Sequence, residues 1–246
     1  MPLLRPFNSP RFDTIGECVD FFQQIFEGVQ FFHHNHIAHR DCTGLNVMMD
    51  GSETYPKGFH ARRPDYNPTC TGSAHQKYTR TQRSPKYCWI DFGLSARLDP
   101  TDEHPLLPIL RGNDKSVPEH QDPDYQTQFA DVYPTDIYYL DNLIREYFIE
   151  GDPEFDMSKK FGLDFMKPFV DDMVQDDPTK RPTIDECVIR LDEIARSLSS
   201  WTLRGQVWHE SDNIFGFLYR FISHWTRCLS YIIRRIPPIP RRQRYL

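Results

Sequence analysis

Two polar clusters, each set beside a short apolar run, constrain this 246-residue chain more than any other feature. His39-Arg40-Asp41 is followed five residues later by Asn46, and Val47-Met48-Met49 then reads as a strand. Much further on, a second strand, Tyr87-Cys88-Trp89-Ile90, runs directly into Asp91-Phe92-Gly93. The five-residue step lets one tight loop aim Asp41 and Asn46 into a common cleft. A hairpin of the two runs carries Asp91 to the edge of that cleft.

The elements around the clusters are mostly helical. Thr14 and Glu17 form a T-x-x-E capping box, and Val19, Phe22, Ile25, Phe26, Val29 and Phe32 recur at helical spacing, so a helix of about 20 residues is expected from Thr14 toward His33. Further helices are expected over Thr135 to Ile149, over Leu163 to Gln175, and from the Asp177-to-Thr183 segment to about Leu198. Residues 51–86 show neither period and are rich in Pro, Gly, Thr, Arg and Lys. They predict a long surface insertion whose basic residues are either solvated or dock an acidic partner.

A hydrophobic fraction of 39% fills one large domain, here 1–200, with 201–246 as a tail. The expected fold class is mainly α (α+β): a helical bundle with a short β-hairpin at the cleft, plus a C-terminal amphipathic helix. A net charge of -6 gives no reason to expect a nucleic acid partner. The six cysteines are scattered without a C-x-x-C pair, which predicts free thiols in a reducing compartment. The first residues carry no apolar run of signal-peptide length, so the expected location is cytoplasmic.

The ordered series His39-Arg40-Asp41, Asn46, Asp91-Phe92-Gly93, Val117-Pro118-Glu119, Asp136 and Arg181-Pro182-Thr183 resembles the C-terminal (large) lobe of the eukaryotic-type protein kinase family. The resemblance implies ATP-dependent phosphoryl transfer to protein Ser/Thr, with ATP and Mg²⁺ as cofactors. It implies that Asp41 orients the substrate hydroxyl and takes its proton, that Asn46 and Asp91 hold Mg²⁺, and that Met48 lies beneath the adenine. His39 and Phe92 would stack in an internal spine, with Gly93 completing the metal loop. Glu119 and Arg181 would form a buried ion pair, and Asp136 would hold the catalytic-loop backbone. Arg40 would dock a phosphate on Ser95, Thr101 or Ser116, or else meet Asp102 or Glu103.

Several positions depart from the family pattern. No G-x-G-x-x-G loop or V-A-I-K-like strand is present, and Met1-Pro2-Leu3-Leu4 resembles the hinge between lobes. The expectation is a truncated kinase domain, inactive as this isolated chain, its small lobe supplied elsewhere. The alternative is a non-catalytic pseudokinase or scaffold that binds a protein partner or membrane surface. Thr43 stands where a lysine is usual, residues 111–116 lack the threonine that bonds the catalytic aspartate, Lys115 replaces a common tyrosine, and Asp141 replaces a helix glycine. The His33, His34, His36 and His39 cluster predicts structural histidines rather than a metal site.

From Asn213 onward, apolar residues alternate with a stripe of Arg220, Ser223, Arg227, Ser230 and Arg234, and a basic end includes Arg235, Arg241, Arg242 and Arg244. The arginines disfavour a membrane span. Two alternatives stay open: the helix lies on an anionic membrane surface, making a peripheral contact through 213–246, or its apolar face packs on the lobe.

Overall fold

A computed structural model describes residues 3–102, 105–151, 158–210, 212 and 214–242. Met1, Pro2, Glu103, Asn213 and Arg244 lie outside them. Helix outweighs strand about threefold, 43% against 13%, so the chain is a mixed α+β protein.

Helix α1 (Ile15–His34) is the centre of the fold. Its Val19, Phe22, Ile25, Phe26 and Val29 stripe is buried, and Phe21 joins Phe7, Phe12 and Phe148 in an aromatic cluster with ring centroids 4.7–5.5 Å from Phe21. Thr14 caps the helix by accepting from the Glu17 N–H at 3.1 Å. The reciprocal half of the box differs from expectation. Glu17 accepts from the Asp13 N–H at 2.8 Å and, through its other oxygen, from Thr81 N–H and Oγ1 at 2.9 and 2.6 Å. A buried carboxylate satisfied by three donors is worth more than one returning to its own cap.

Those Thr81 bonds show that residues 51–86 are not simply a solvated loop. No helix or strand forms between Asp50 and Tyr87, but Thr54, Tyr55, Phe59, Arg80, Thr81 and Ser84 are buried. Arg80, 2% exposed, donates to the carbonyls of Phe7 and Pro10 at 2.8 and 2.6 Å and to the Tyr87 hydroxyl. Ser84 donates to Asp20 at 2.6 Å. Lys57, Arg62, Arg63 and Lys77 remain exposed.

Strands β1 (Leu4–Pro6), β3 (Val47–Asp50) and β4 (Tyr87–Trp89) form an antiparallel sheet in the order β1-β3-β4, while β2 (Ile37–Ala38), which leads from α1 into the His39 loop, pairs with β5 (Ala96–Arg97). Of the segment expected to be a hinge, Met1 and Pro2 lie outside the described residues, and Leu4 opens β1, opposite Asp50 of β3. Gly28 lets this sheet approach α1: a Cβ there would meet the Trp89 ring at 2.7 Å, and the indole N–H donates to the Ile25 carbonyl.

Strands β6 (Leu106–Pro108) and β7 (Phe129–Asp131) pair and lead into α2 (Val132–Ile144). This helix starts three residues earlier than its apolar spacing implies, because Asp131 caps it through the Tyr133 N–H, and its continuation, Arg145–Ile149, winds as a π-helix. Strand β8 (Lys160–Phe161) precedes α3 (Lys167–Met173), shorter than the expected 163–175 because its entry is a 3₁₀ turn. Helix α4 (Ile184–Ser197) carries a complete capping box from Thr183 and Glu186.

Beyond residue 200 the chain stays with the core. Helix α5 (Ser200–Leu203) contributes Leu203, and β9 (Trp208–His209) pairs with β8, bringing Val207 into the same cluster. Helix α6 (Ile214–Ile233) then packs on the core with the face opposite to the one named in the packing alternative. His224, Cys228 and Tyr231 are buried, Arg227 and His224 reach Asp13 at 2.9 and 3.3 Å, and Tyr231 shares a 2.8 Å hydroxyl bond with Thr79. Arg220 pairs with Asp212. Arg220 and Arg227 are turned onto Asp212 and Asp13, and the apolar stripe is turned outward. Asp13 and Asp212 offer charge where an apolar face would have needed a hydrophobic groove.

Candidate functional site

The loop after β2 is held by a single carboxylate. Asp136, fully buried in α2, accepts from the backbone N–H of His39 at 2.8 Å and of Arg40 at 2.6 Å, and contacts His33 Nε2 at 3.1 Å. Arg40 has φ 66°, the left-handed region a non-glycine residue enters only when its surroundings hold it there. That turn reverses the chain and directs Asp41 upward while Arg40 Nη2 donates to the Pro108 carbonyl.

Asp41 and Asn46 are brought together. Asn46 Nδ2 donates to Asp41 Oδ2 at 2.7 Å and to the Asp41 carbonyl at 2.9 Å, across the 3₁₀ turn Gly44–Asn46. Asp91 is placed beside them by the sheet: the Ile90 N–H donates to the Asn46 carbonyl at 2.9 Å, and Asp91 is the next residue. Its φ of 59° turns the side chain out, and Oδ1 accepts from the Gly93 N–H at 3.2 Å.

The three polar groups differ in freedom. Asp41 is 6% exposed and accepts two further bonds from Asn113, one from its N–H to Oδ1 and one from Nδ2 to Oδ2, both 2.8 Å. Of about four acceptor positions on a carboxylate, three are therefore filled. Gly112 passes so close that a Cβ would stand 2.3 Å from Asp41 Oδ1. Sequence reasoning found no threonine to bond Asp41 and missed Asn113. The signal was an amide side chain beside a glycine, able to offer two donors to one carboxylate.

The metal-ligand expectation can be tested on the donor set. Asn46 spends both amide hydrogens on Asp41, which leaves its Oδ1 as an acceptor, and the exposed Asp91 retains a free oxygen. Hard oxygen donors in small number suit Mg²⁺, which keeps most of its shell as water and phosphate. No group of three or more His, Cys, Asp or Glu among the described residues could hold a metal on protein ligands alone. His33 and His34 are instead occupied by Asp136 and Asp185.

Apolar groups surround these residues. His39 is fully buried, bonds the Ile90 carbonyl, and lies 5.0 Å from the Phe92 ring, which also meets Phe32 edge-on at 5.3 Å. Met48 lies opposite Pro6 and Cys88 in the sheet register, so the three share one face, and none is fully buried. Phe92 is 48% and Leu45 57% exposed, leaving open apolar surface beside Asp91 and Asn46.

Below the site, Glu119 and Arg181 form two parallel hydrogen bonds of 2.7 Å. Burial opposes ionisation of Glu119, but the Arg181 hydrogen bonds and charge prevail and hold its carboxyl below the usual range. Asp141 is the contrast. It is fully buried in α2, neither oxygen has a partner, and burial drives its carboxyl well above the usual range. Thr43 Oγ1 is likewise buried without a partner. Ser95, Thr101 and Ser116 all have hydroxyl partners, namely the His39 carbonyl, Asp99 and the Tyr138 hydroxyl. No protein-family model matches this chain, and no curated protein matches it.

Proposed function

We propose that Asp41, Asn46 and Asp91 form the floor of a Mg²⁺- and ATP-dependent phosphoryl-transfer site, in a lobe of the protein-kinase kind that acts on a protein hydroxyl. The observation that supports this reading is the bonding of Asn46 to Asp41 one backbone step from Asp91. Asp136 fixes the His39-Arg40 backbone, Asn46 bonds the Asp41 carboxylate, and the Ile90-to-Asn46 bond sets Asp91 alongside. Asn46 Oδ1 and Asp91 are the groups that would hold Mg²⁺, and the bound metal supplies charge neutralisation for phosphate oxygens. Asp41 orients a substrate hydroxyl with its remaining acceptor position and receives the proton. The half-exposed face of Met48 offers an apolar seat for adenine, and exposed Leu45 and Phe92 are surfaces that a covering lobe would bury.

A second reading, a non-catalytic kinase-like scaffold, is favoured by one specific observation. Asn113 and Asn46 already fill three acceptor positions of Asp41, and Gly112 crowds the oxygen that has one left. A neutral Thr43 also leaves no cation beside a transferred phosphate.

A thermal-shift titration with Mg²⁺-ATP separates these readings. Stabilisation that is lost in Asp91→Asn supports a nucleotide floor, and its absence in the wild-type chain favours the non-catalytic scaffold. Labelled phosphate transfer to a generic protein substrate, abolished by Asp41→Asn, then distinguishes the enzyme from the scaffold.

A further inference from the structure

Helix α6 presents its apolar side to the outside. At about 100° per residue, Leu218, Ile222, Trp225, Leu229 and Ile233 fall on one stripe. Leu218, Ile222, Leu229 and Ile233 are 55, 57, 57 and 81% exposed, and Phe221 flanks them at 41%. The opposite side, carrying His224, Arg227 and Tyr231, is spent on Asp13 and Thr79 of the lobe. A contiguous apolar stripe of this size on a protein surface marks a place where something docks.

The cations around the stripe indicate what docks. Arg234 and Arg235 immediately follow Ile233 at the end of the stripe; both are exposed, and neither makes an ion pair with any described residue. A second copy of the chain would bring the same uncompensated arginines to the contact. A layer of anionic headgroups over an apolar interior supplies both complements at once. No helix among the described residues is long and apolar enough to cross a membrane, so the arrangement is that of a helix lying in the interface plane.

We propose that the outward stripe of α6, together with Arg234 and Arg235 at its end, seats this protein on an anionic lipid surface, with the rest of the chain on the water side of the helix. The inference is independent of the nucleotide site, since it uses none of its residues.

The test is co-sedimentation of the full chain with vesicles of phosphatidylcholine alone and with vesicles of equal phosphatidylcholine and phosphatidylserine. The expected result is binding to the mixed vesicles, about tenfold weaker on phosphatidylcholine and weakened by added salt. The double variant Leu229→Glu/Ile233→Glu abolishes binding while its melting temperature stays unchanged, because both side chains are exposed in the free protein. Arg234→Gln/Arg235→Gln lowers binding to mixed vesicles about tenfold and leaves phosphatidylcholine binding unaltered. No sedimentation with mixed vesicles overturns the proposal, as does binding indifferent to the Leu229 and Ile233 changes. Self-association abolished by those changes, without vesicle binding, would assign the stripe to a second copy.

Discussion

Helices α1 and α6 have the same length, twenty residues, and opposite relations to the lobe. Helix α1 buries its phenylalanine stripe, and Glu17 and Asp20 with it; α6 turns its polar side to the core and leaves its apolar side uncovered. An amphipathic pattern therefore fixes that a helix has two unlike faces but not which one the rest of the protein receives. The partner decides: α1 meets aromatic rings, while α6 meets Asp13 and Asp212.

The largest expected effect tests this contrast directly. Phe26→Ala in α1 should cost about 3–5 kcal/mol, as a cavity among fully buried rings, whereas Leu229→Ala in α6 should stay within about 0.5 kcal/mol. Chemical denaturation of both variants measures the difference, and equal losses would mean that the outer stripe is covered.

A smaller effect is expected from Asp13→Ala, which removes the acceptor shared by His224 and Arg227. The loss should be about 1.5–3 kcal/mol, the range for hydrogen bonds to charged groups. Hydrogen exchange should show faster opening of α6 with α1 unchanged.

The two regions should also fail at opposite ends of the pH scale. Burial alone would lower the His224 pKa, but its hydrogen bonds to Asp13 and Cys228 and the Asp13 charge raise it to about 9 from 6.5. Its contribution is thus complete below about pH 6.5 and is lost as pH rises through about 9. Glu119 is held below its ordinary value by Arg181, so its contribution is present above about pH 4.5 and is lost on acidification through the depressed pKa. Exchange rates in α6 should rise on the alkaline side, with the lobe core opening on the acid side. His224→Gln should remove the alkaline change.

The smallest effect belongs to Arg242→Ala. Its bonds to Asp20 and Glu27 tie the end of the chain to α1, but the guanidinium is partly exposed and Asp20 keeps Ser84 and Gln24 as partners. A loss of about 0.2–1 kcal/mol is expected, shrinking with salt in thermal melts.

Local signals in the sequence were legible where the physics is local. The stripe of α1, the runs of β3 and β4, and the helix opened by the Asp177-to-Thr183 segment all rest on residues within a few positions of one another, and each element forms. The structure also brings Asp41 to Asn46, His39 to Phe92 and Glu119 to Arg181. Burial of Arg80 was not legible, because its carbonyl partners at Phe7 and Pro10 lie about 70 residues away and leave no periodic trace. Asn113 escaped notice for the same reason, and the docked side of α6 depends on two aspartates outside the helix.

The approach of Gly112 to Asp41 leaves no clearance between the segment around residue 112 and the loop beneath it. Even a methyl group on that α-carbon would act as a wedge, without altering a single charge. Loop and segment consequently behave as a latch and its keeper: wherever residues 112 and 113 go, the donors that occupy Asp41 go with them.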